Sequence, residues 1–154
     1  MTAESKLVGT WRLVEWTATI DGNEVTPFGG PTTGLLTYTE EGRMWGTLMR
    51  VDRPVVDGDT LAAAPEEERA AAAAGYLNYA GTWHIEGDEV IHEVEVSLLP
   101  NWIGTSQRRK MQWVENDMGG SDLILSASST TRHGAVASNR LRWRHLVDWK
   151  SDQA

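Results

Sequence analysis

The stretch that decides the fold is VIHEVEVSLLPNWIG at residues 90–104, in which a histidine stands where a strand would be expected to carry valine. Side chains of a β-strand point alternately to two faces. One face therefore carries Val90, His92, Val94, Val96 and Leu98. The other face carries two glutamates, which is typical of a surface exposed to water. The sequence thus predicts a strand whose buried face includes an imidazole.

The segment before this strand is predicted to form a hairpin with it. A two-residue turn at 87–88 places Ile85 opposite Val90 and Trp83 opposite His92. The aliphatic and indole side chains then share the face that carries the imidazole. This is the face that we expect to be buried.

The connection at 101–104 leads into another strand, which we expect to pair with the first. The predicted register gives four cross-strand pairs on the buried face: Leu98 with Gln107, Val96 with Arg109, Val94 with Met111, and His92 with Trp113. His92 would then lie between Trp83 and Trp113, and Gln107 and Arg109 would project into the same interior. The residues that alternate with these on the second strand face outward.

An interior that combines indoles with an imidazole, a guanidinium and an amide is predicted to be hollow. A buried polar group without a hydrogen-bond partner costs about 1–3 kcal/mol, and a solvated or ligand-filled cavity removes much of that penalty. Eight antiparallel strands that close into a barrel enclose about one small ligand. The chain has eight tryptophans and one phenylalanine, and indoles suit both a thick core and a cavity for ring-shaped ligands.

Eight segments of the chain alternate with a period of two and are separated by turn residues. We predict strands at 7–20, 34–39, 43–50, 81–86, 89–99, 105–114, 122–128 and 135–147. One helix is predicted at about 65–80, since Pro65 and three glutamates open an alanine-rich segment that closes at Gly81. We therefore expect a single all-β domain over 1–154, an eight-stranded antiparallel barrel with one inserted α-helix and a disordered tail at about 150–154.

Composition excludes several classes of function. The formal net charge of −8 disfavours nucleic acid as a partner, and the absence of cysteine excludes disulfides and thiolate sites. The four histidines show no spacing typical of a metal site, and no nucleotide-binding or hydrolase motif is present, so we predict neither metal nor cofactor. No secretory signal or membrane span is visible, and the cytoplasm is the expected location.

Gly9-Thr10-Trp11 resembles the G-x-W motif of lipocalins. In that family the tryptophan plugs the closed end of an eight-stranded barrel, and an arginine of the last strand packs over it. The resemblance makes Arg142 and Arg144, in LRWRHL, candidates for this arginine. His145 departs from the pattern, because the resemblance leads us to expect arginine or another charged residue there.

Longer segments resemble the lipocalin-like domain proteins of bacteria and fungi, which are small barrels of intracellular type. They are LVGTWRLV, PTTGLLTYTEEGRMWGTLMRVDRP, GYLNYAGTWHIEGDEVIHEVEVSLLPNWIGTSQRRKMQW and LRWRHL. The resemblance covers most of the chain and is most distinctive around HEVEVSLLPNWIG. It implies a lipocalin-like (calycin) barrel. Some similar small barrels are cyclases or isomerases of natural-product pathways.

Two polar residues are the candidates for chemistry. His92 is a candidate acid or base, and the alternative is a core imidazole satisfied by a neighbouring hydroxyl or backbone group. Arg109 is a candidate for stabilising a carboxylate, phenolate or enolate, and the alternative is an internal ion pair with Glu15. The side chains predicted to line the cavity are Trp83, Trp113, Gln107, Val94, Val96, Met111, Tyr38, Trp45, Asn101, Trp102, Tyr76, Tyr79 and Glu15.

The sequence favours binding of a small apolar or aromatic, polyketide-like molecule, because no complete catalytic constellation is evident. One alternative is a cyclase or isomerase without cofactor that uses His92 and Arg109. A second alternative is a protein-interaction module with a filled barrel. A homodimer is compatible with the sequence, and neither nucleic acid nor a membrane is an expected partner.

Overall fold

Strand β1 (Gly9–Ile20) pairs along its length with the last strand, β9 (Val136–His145), and this pairing closes the sheet into a barrel. The computed structural model describes residues 2–148, so the tail predicted at about 150–154 lies outside the described residues. Between these two strands lie β2 (Asn23–Val25), β3 (Thr32–Tyr38), β4 (Arg43–Arg50), β5 (Tyr76–Glu86), β6 (Glu89–Ser97), β7 (Ser106–Glu115) and β8 (Ser121–Thr130). The α-helices in this part of the chain are α1 (Ala3–Leu7) and α2 (Glu66–Ala74).

Eight strands form the wall of the barrel. From β3 to β9 each strand pairs antiparallel with the next, while β1 joins β3 to β9. The short strand β2 pairs only with the last residues of β1, Ala18–Ile20, and is not one of the eight strands that close the barrel. The predicted all-β, eight-stranded antiparallel barrel with a helix between its third and fourth strands is confirmed. Helix α1 and strand β2 were not predicted.

The inserted helix is shorter than the sequence predicts. It begins after Pro65, carries three glutamates in its first turn and ends at Ala74. The prediction of a helix to about residue 80 is wrong, because Gly75 ends it and β5 begins at Tyr76. Pairing with β4 decides the conformation of this segment, with Tyr76 opposite Met49 and Tyr79 opposite Gly46.

The hairpin of β5 and β6 has the predicted register, with Trp83 opposite His92. The next register is wrong by six positions, because His92 lies opposite Gln107 and not Trp113. Pairing of β6 with β7 stops at Glu93 and Ser106, and the chain between them forms a long connection. An even shift leaves the inward face unchanged, so the imidazole and Arg109 still point to the same side.

Two β-bulges reverse the inward face of a strand. In β1 the register shifts between Leu13 and Glu15, and Glu15, predicted inside, is exposed. In β6 the register shifts opposite Ala80 and Gly81, and Val96, also predicted inside, is 60% exposed. Both predictions fail because an extra residue changes the alternation on which they depend.

The end of the barrel next to α1 is closed by Trp11. Its side chain is 2% exposed, and its indole N–H donates to the Leu7 carbonyl over 2.9 Å. The His145 ring packs edge-on against it, with ring centroids 4.9 Å apart, and lies so close to Gly9 that no side chain fits at that position. His145 thus occupies the place that the resemblance predicted for an arginine.

Arg142 and Arg144, the two predicted candidates, bind Asp122 instead. Arg142 Nε lies 2.7 Å from Asp122 Oδ2, and Arg144 Nε lies 2.9 Å from Asp122 Oδ1. The arginines alternate along β9 with Trp143, whose ring is in the core, so they belong to the outer face. The prediction that either packs on Trp11 is therefore wrong.

Candidate functional site

A cavity of about 550 Å³ occupies the end of the barrel opposite α1, a size that suits one small ligand. Its aromatic walls are the indoles of Trp16, Trp102 and Trp143 and the phenol of Tyr79. Its aliphatic walls include Leu36, Leu48, Leu77, Leu125 and Leu141. The cavity is therefore apolar over much of its surface, and the polar side chains on it become conspicuous.

His92 lies at the inner end of this cavity and is 1% exposed. Each of its ring nitrogens is hydrogen-bonded to a tyrosine hydroxyl. Nε2 lies 2.7 Å from the Tyr38 oxygen, and Nδ1 lies 2.8 Å from the Tyr79 oxygen. The alternative of a core imidazole satisfied by neighbouring hydroxyls describes this geometry.

The His92 imidazole is held in its neutral form. Burial, assisted by the positive charge of Arg109, lowers the pKa of His92 to about 3. Burial also raises the pKa of Tyr38 and of Tyr79, although Arg109 opposes the rise at both phenols. At neutral pH the group is therefore one uncharged imidazole between two uncharged phenols.

Arg109 borders the same cavity on β7. Its Nη1 donates to the Arg108 carbonyl over 2.9 Å, and its Nη2 lies 3.4 Å from Gln107 Oε1. Within residues 2–148 it forms no ion pair with a carboxylate, and the alternative of an ion pair with Glu15 is wrong because the bulge turns Glu15 outward. A cation on an apolar wall without a carboxylate partner attracts the negative end of a ligand.

Further hydrogen-bonding groups lie on or beside the cavity wall. The Trp16 indole N–H donates to Asn139 Oδ1 over 2.9 Å, and the Gln107 amide donates to Thr105 Oγ1 over 2.9 Å. The buried indole N–H of Trp143 has no hydrogen-bond partner within residues 2–148.

Five of the predicted site residues border the cavity: His92, Arg109, Gln107, Trp102 and Tyr79. The others lie elsewhere. Trp83, Val94, Met111 and Trp113 pack in the hydrophobic core, and Tyr38 lies behind His92. Asn101 is exposed in the 3-10 helix Pro100–Trp102.

Tyr76, Trp45, Val96 and Glu15 lie on the outer face of the barrel. Tyr76 alternates with the cavity residues Leu77 and Tyr79, and the Arg53 guanidinium lies 5.2 Å from the centre of its ring. Trp45 alternates with the buried Met44 and Gly46 and is 46% exposed. Their predicted placement at the mouth is wrong, because β5 and β4 turn these side chains away from the lumen.

The sequence analysis missed the walls contributed by β1 and β9. Trp16 was missed because the bulge in β1 moves it from the outward to the inward phase. Asn139, Leu141 and Trp143 alternate along β9, and that alternation was a usable signal.

Among residues 2–148, no group of three or more His, Asp or Glu side chains is arranged to hold a metal ion. In the same part of the chain, no helix has both the length and the apolar character needed to cross a bilayer.

Comparison with known proteins identifies a family for this sequence. The family described as the lipocalin-like domain matches residues 8–151. The chain is similar to a protein of Aspergillus oryzae named 4'-hydroxy-3'-methoxypropiophenone carrier protein, with 38% identity across 70% of this chain and 95% of that protein. No solved structure gives a significant match.

Proposed function

The chain belongs to the lipocalin-like domain family, and from this premise we propose that it binds a small aromatic molecule in the barrel cavity and carries it unchanged. The observation that carries the proposal is the indole-lined cavity of about 550 Å³ with a few polar side chains on its wall. The carrier named among its relatives supports this assignment, and so does the aryl ketone in that carrier's name.

The arrangement of polar groups supports binding more strongly than catalysis. Both ring nitrogens of His92 are occupied by tyrosine hydroxyls, so neither is available to a substrate proton. A pKa of about 3 also leaves little tendency to accept a proton at neutral pH. The cyclase or isomerase alternative then depends on Tyr79 and Arg109 stabilising an enolate of a bound ketone.

The interaction-module alternative requires a filled barrel, and the cavity counts against it. The cytoplasmic location and the homodimer stay predictions. The partner that we propose is a small aromatic molecule.

The test is titration of the protein with 4'-hydroxy-3'-methoxypropiophenone by isothermal titration calorimetry, followed by mass spectrometry of the recovered compound. We expect saturable binding of one molecule per barrel and recovery of unchanged compound. Failure to bind would contradict the proposal for this ligand class. Recovery of a cyclised or isomerised product would favour the enzyme.

A matched pair of variants locates the binding site. Ala127 borders the cavity, and Ala127→Phe is expected to weaken binding at least tenfold by filling it. Ala80 lies on the outer face between Trp45 and Val96, so Ala80→Phe adds the same ring outside the barrel and is expected to bind normally. Equal binding by both variants would place the ligand outside the cavity.

A further inference from the structure

The hydrogens of the Tyr38–His92–Tyr79 chain have one arrangement that satisfies every buried group. A neutral imidazole carries one N–H donor and one acceptor nitrogen. The Tyr38 hydroxyl is buried, and its hydrogen bond to His92 Nε2 is its only one within the described residues. Its hydrogen is therefore used only if Tyr38 donates to Nε2, which leaves the proton of the imidazole on Nδ1.

This arrangement determines where the Tyr79 hydroxyl points. The Nδ1–H of His92 donates to the Tyr79 oxygen over 2.8 Å, so the hydroxyl cannot donate back to the ring. Arg109 also interacts with this phenol, since its positive charge opposes the rise of the Tyr79 pKa that burial causes. The remaining hydrogen of Tyr79 is left for the cavity that its side chain borders.

The charged group that interacts with this phenol is a donor as well. Arg109, on the wall of the same cavity, is a cation without a carboxylate partner in residues 2–148. A ligand that satisfies these groups must present an oxygen that only accepts. A ketone carbonyl does so, whereas a neutral phenol would bring a further donor.

We propose that the Tyr79 hydroxyl is the directional hydrogen-bond donor of the cavity, oriented by Tyr38 and His92 to receive the carbonyl oxygen of an aryl ketone. This inference rests on the proposed function and adds to it the group by which the ligand is recognised. Tyr79 touches the ligand, while Tyr38 and His92 are positioning residues. Trp102, which packs edge-on against the Tyr79 ring at 5.3 Å, keeps that ring in place.

The test compares two probes that differ only at the carbonyl, propiophenone and propylbenzene, by isothermal titration calorimetry. We expect the wild type to prefer propiophenone at least tenfold, because propylbenzene leaves the donors unpaired. Tyr79→Phe should reduce that preference to near unity while it still binds propylbenzene. Tyr76→Phe removes a phenol from the outer face of the same strand and should keep the full preference.

Tyr38→Phe tests the orienting role, since Tyr38 does not border the cavity. Without its hydroxyl the imidazole can place its proton on Nε2, and Tyr79 then donates to Nδ1 instead of to the ligand. We expect the ketone preference to fall several-fold while propylbenzene binding is retained. Loss of packing alone would weaken both probes together and would contradict the role of Tyr38.

A measurement on the wild type keeps the inference testable if the variants do not fold. Nitrogen NMR of the His92 ring should show the proton on Nδ1 at neutral pH, and Nε2 without it. A proton on Nε2 overturns the proposal. Equal binding of both probes by the wild type also overturns it, but leaves the proposed binding function intact. If neither probe nor 4'-hydroxy-3'-methoxypropiophenone binds, the proposed function falls and the inference falls with it.

4-Propylphenol is a third probe that separates a carbonyl from a phenol oxygen. We expect it to bind no more tightly than propylbenzene, because its hydroxyl adds a donor where acceptors are needed. A preference for 4-propylphenol over propiophenone would overturn the assignment of a ketone.

Discussion

His92 shows how one buried residue can be both structural and informative about function. Sequence alternation placed it on the inward face, and the structure supplies the hydroxyl partners that make its burial tolerable. Burying a neutral imidazole that is hydrogen-bonded to two phenols costs much less free energy than burying a charged imidazole. The same arrangement makes the stability of the protein sensitive to acid.

We predict that the free energy of unfolding falls as the pH is lowered from about 6.5 toward 3. The folded-state pKa of His92 is lowered to about 3, whereas an unfolded histidine titrates near 6.5, so the unfolded chain binds the extra proton in this interval. The expected slope from this residue is about 1.4 kcal/mol per pH unit. Urea denaturation between pH 6.5 and 5 measures it.

Two histidine variants control this measurement. His92→Gln should lose the slope, and His84→Gln, at an exposed position on the neighbouring strand, should keep it. Identical slopes in all three proteins would contradict a neutral, buried His92.

Asp122 is a second residue whose charge matters to the fold. It is 0% exposed, and although burial would raise its pKa, hydrogen bonds from Arg144, Asn116 and Arg142 hold the pKa below its usual value. Asp122→Asn removes the buried carboxylate that Arg142 and Arg144 share and should destabilise the protein by about 3 kcal/mol at pH 7. Urea denaturation checks the value.

The pH dependence of this loss has a definite sign. The lowered pKa stabilises the fold above the unfolded value near 4, and that stability is lost as the pH falls through the folded-state pKa. The difference in the free energy of unfolding between the wild type and Asp122→Asn should therefore become smaller as the pH falls. Glu95→Gln, which breaks an exposed pair with Arg43, should cost less than about 1 kcal/mol. An equal loss in both variants would refute the importance of the buried carboxylate.

At the scale of single elements, bulges decide which side chains reach the cavity. The bulge in β6 lies opposite Ala80 and Gly81, directly beside Tyr79. A side chain at Gly81 would overlap the Glu93 carbonyl, so the close approach of the two strands requires glycine there. The bulge also turns Val96 outward, which the alternation alone did not indicate.

We predict that Gly81→Ala destabilises the protein by more than about 2 kcal/mol, because backbone atoms of β5 and β6 must separate. Gly46→Ala, on the adjacent strand, meets only a methyl group of Leu36 at 3.4 Å and should be tolerated better. Thermal unfolding of the two variants makes the comparison. A Gly81→Ala protein as stable as Gly46→Ala would show that the bulge does not need this glycine.

The whole molecule divides into a packed half and a hollow half. Trp11, with His145 and α1, closes one end, whereas Trp16 borders the cavity at the other end. The two indoles are five positions apart on one strand, yet the bulge between them gives both an inward side chain. Stability and binding should therefore depend on different tryptophans.

We predict that Trp11→Ala destabilises the protein by about 3–5 kcal/mol, since it removes a fully packed ring. Trp16→Ala should cost less than about 2 kcal/mol, because one side of its ring already faces the cavity. Ligand affinity should show the opposite ranking when both variants are titrated below their unfolding temperatures. Equal effects of the two substitutions on stability and affinity would contradict the division into two halves.

Period-two alternation determined the barrel and the inward direction of His92, Gln107 and Arg109, because strand geometry converts spacing into a face. The turn at 87–88 also determined the register of the first hairpin. Both properties depend on residues that are close together in the sequence, so the sequence alone predicts them. The helix boundary at Ala74 was not among them, because pairing of Tyr76 with Met49 outweighs the helical tendency of the segment.

Only the tertiary structure decided which of the inward side chains form a site. The long connection after Glu93 moved His92 from Trp113 to Gln107, and the bulge in β1 exchanged Glu15 for Trp16. The meeting of Tyr38, His92 and Tyr79 joins three strands, and no spacing along the chain encodes it. The physical reason is that a single extra residue in one strand changes every contact beyond it, while the apolar pattern that drives folding stays nearly the same.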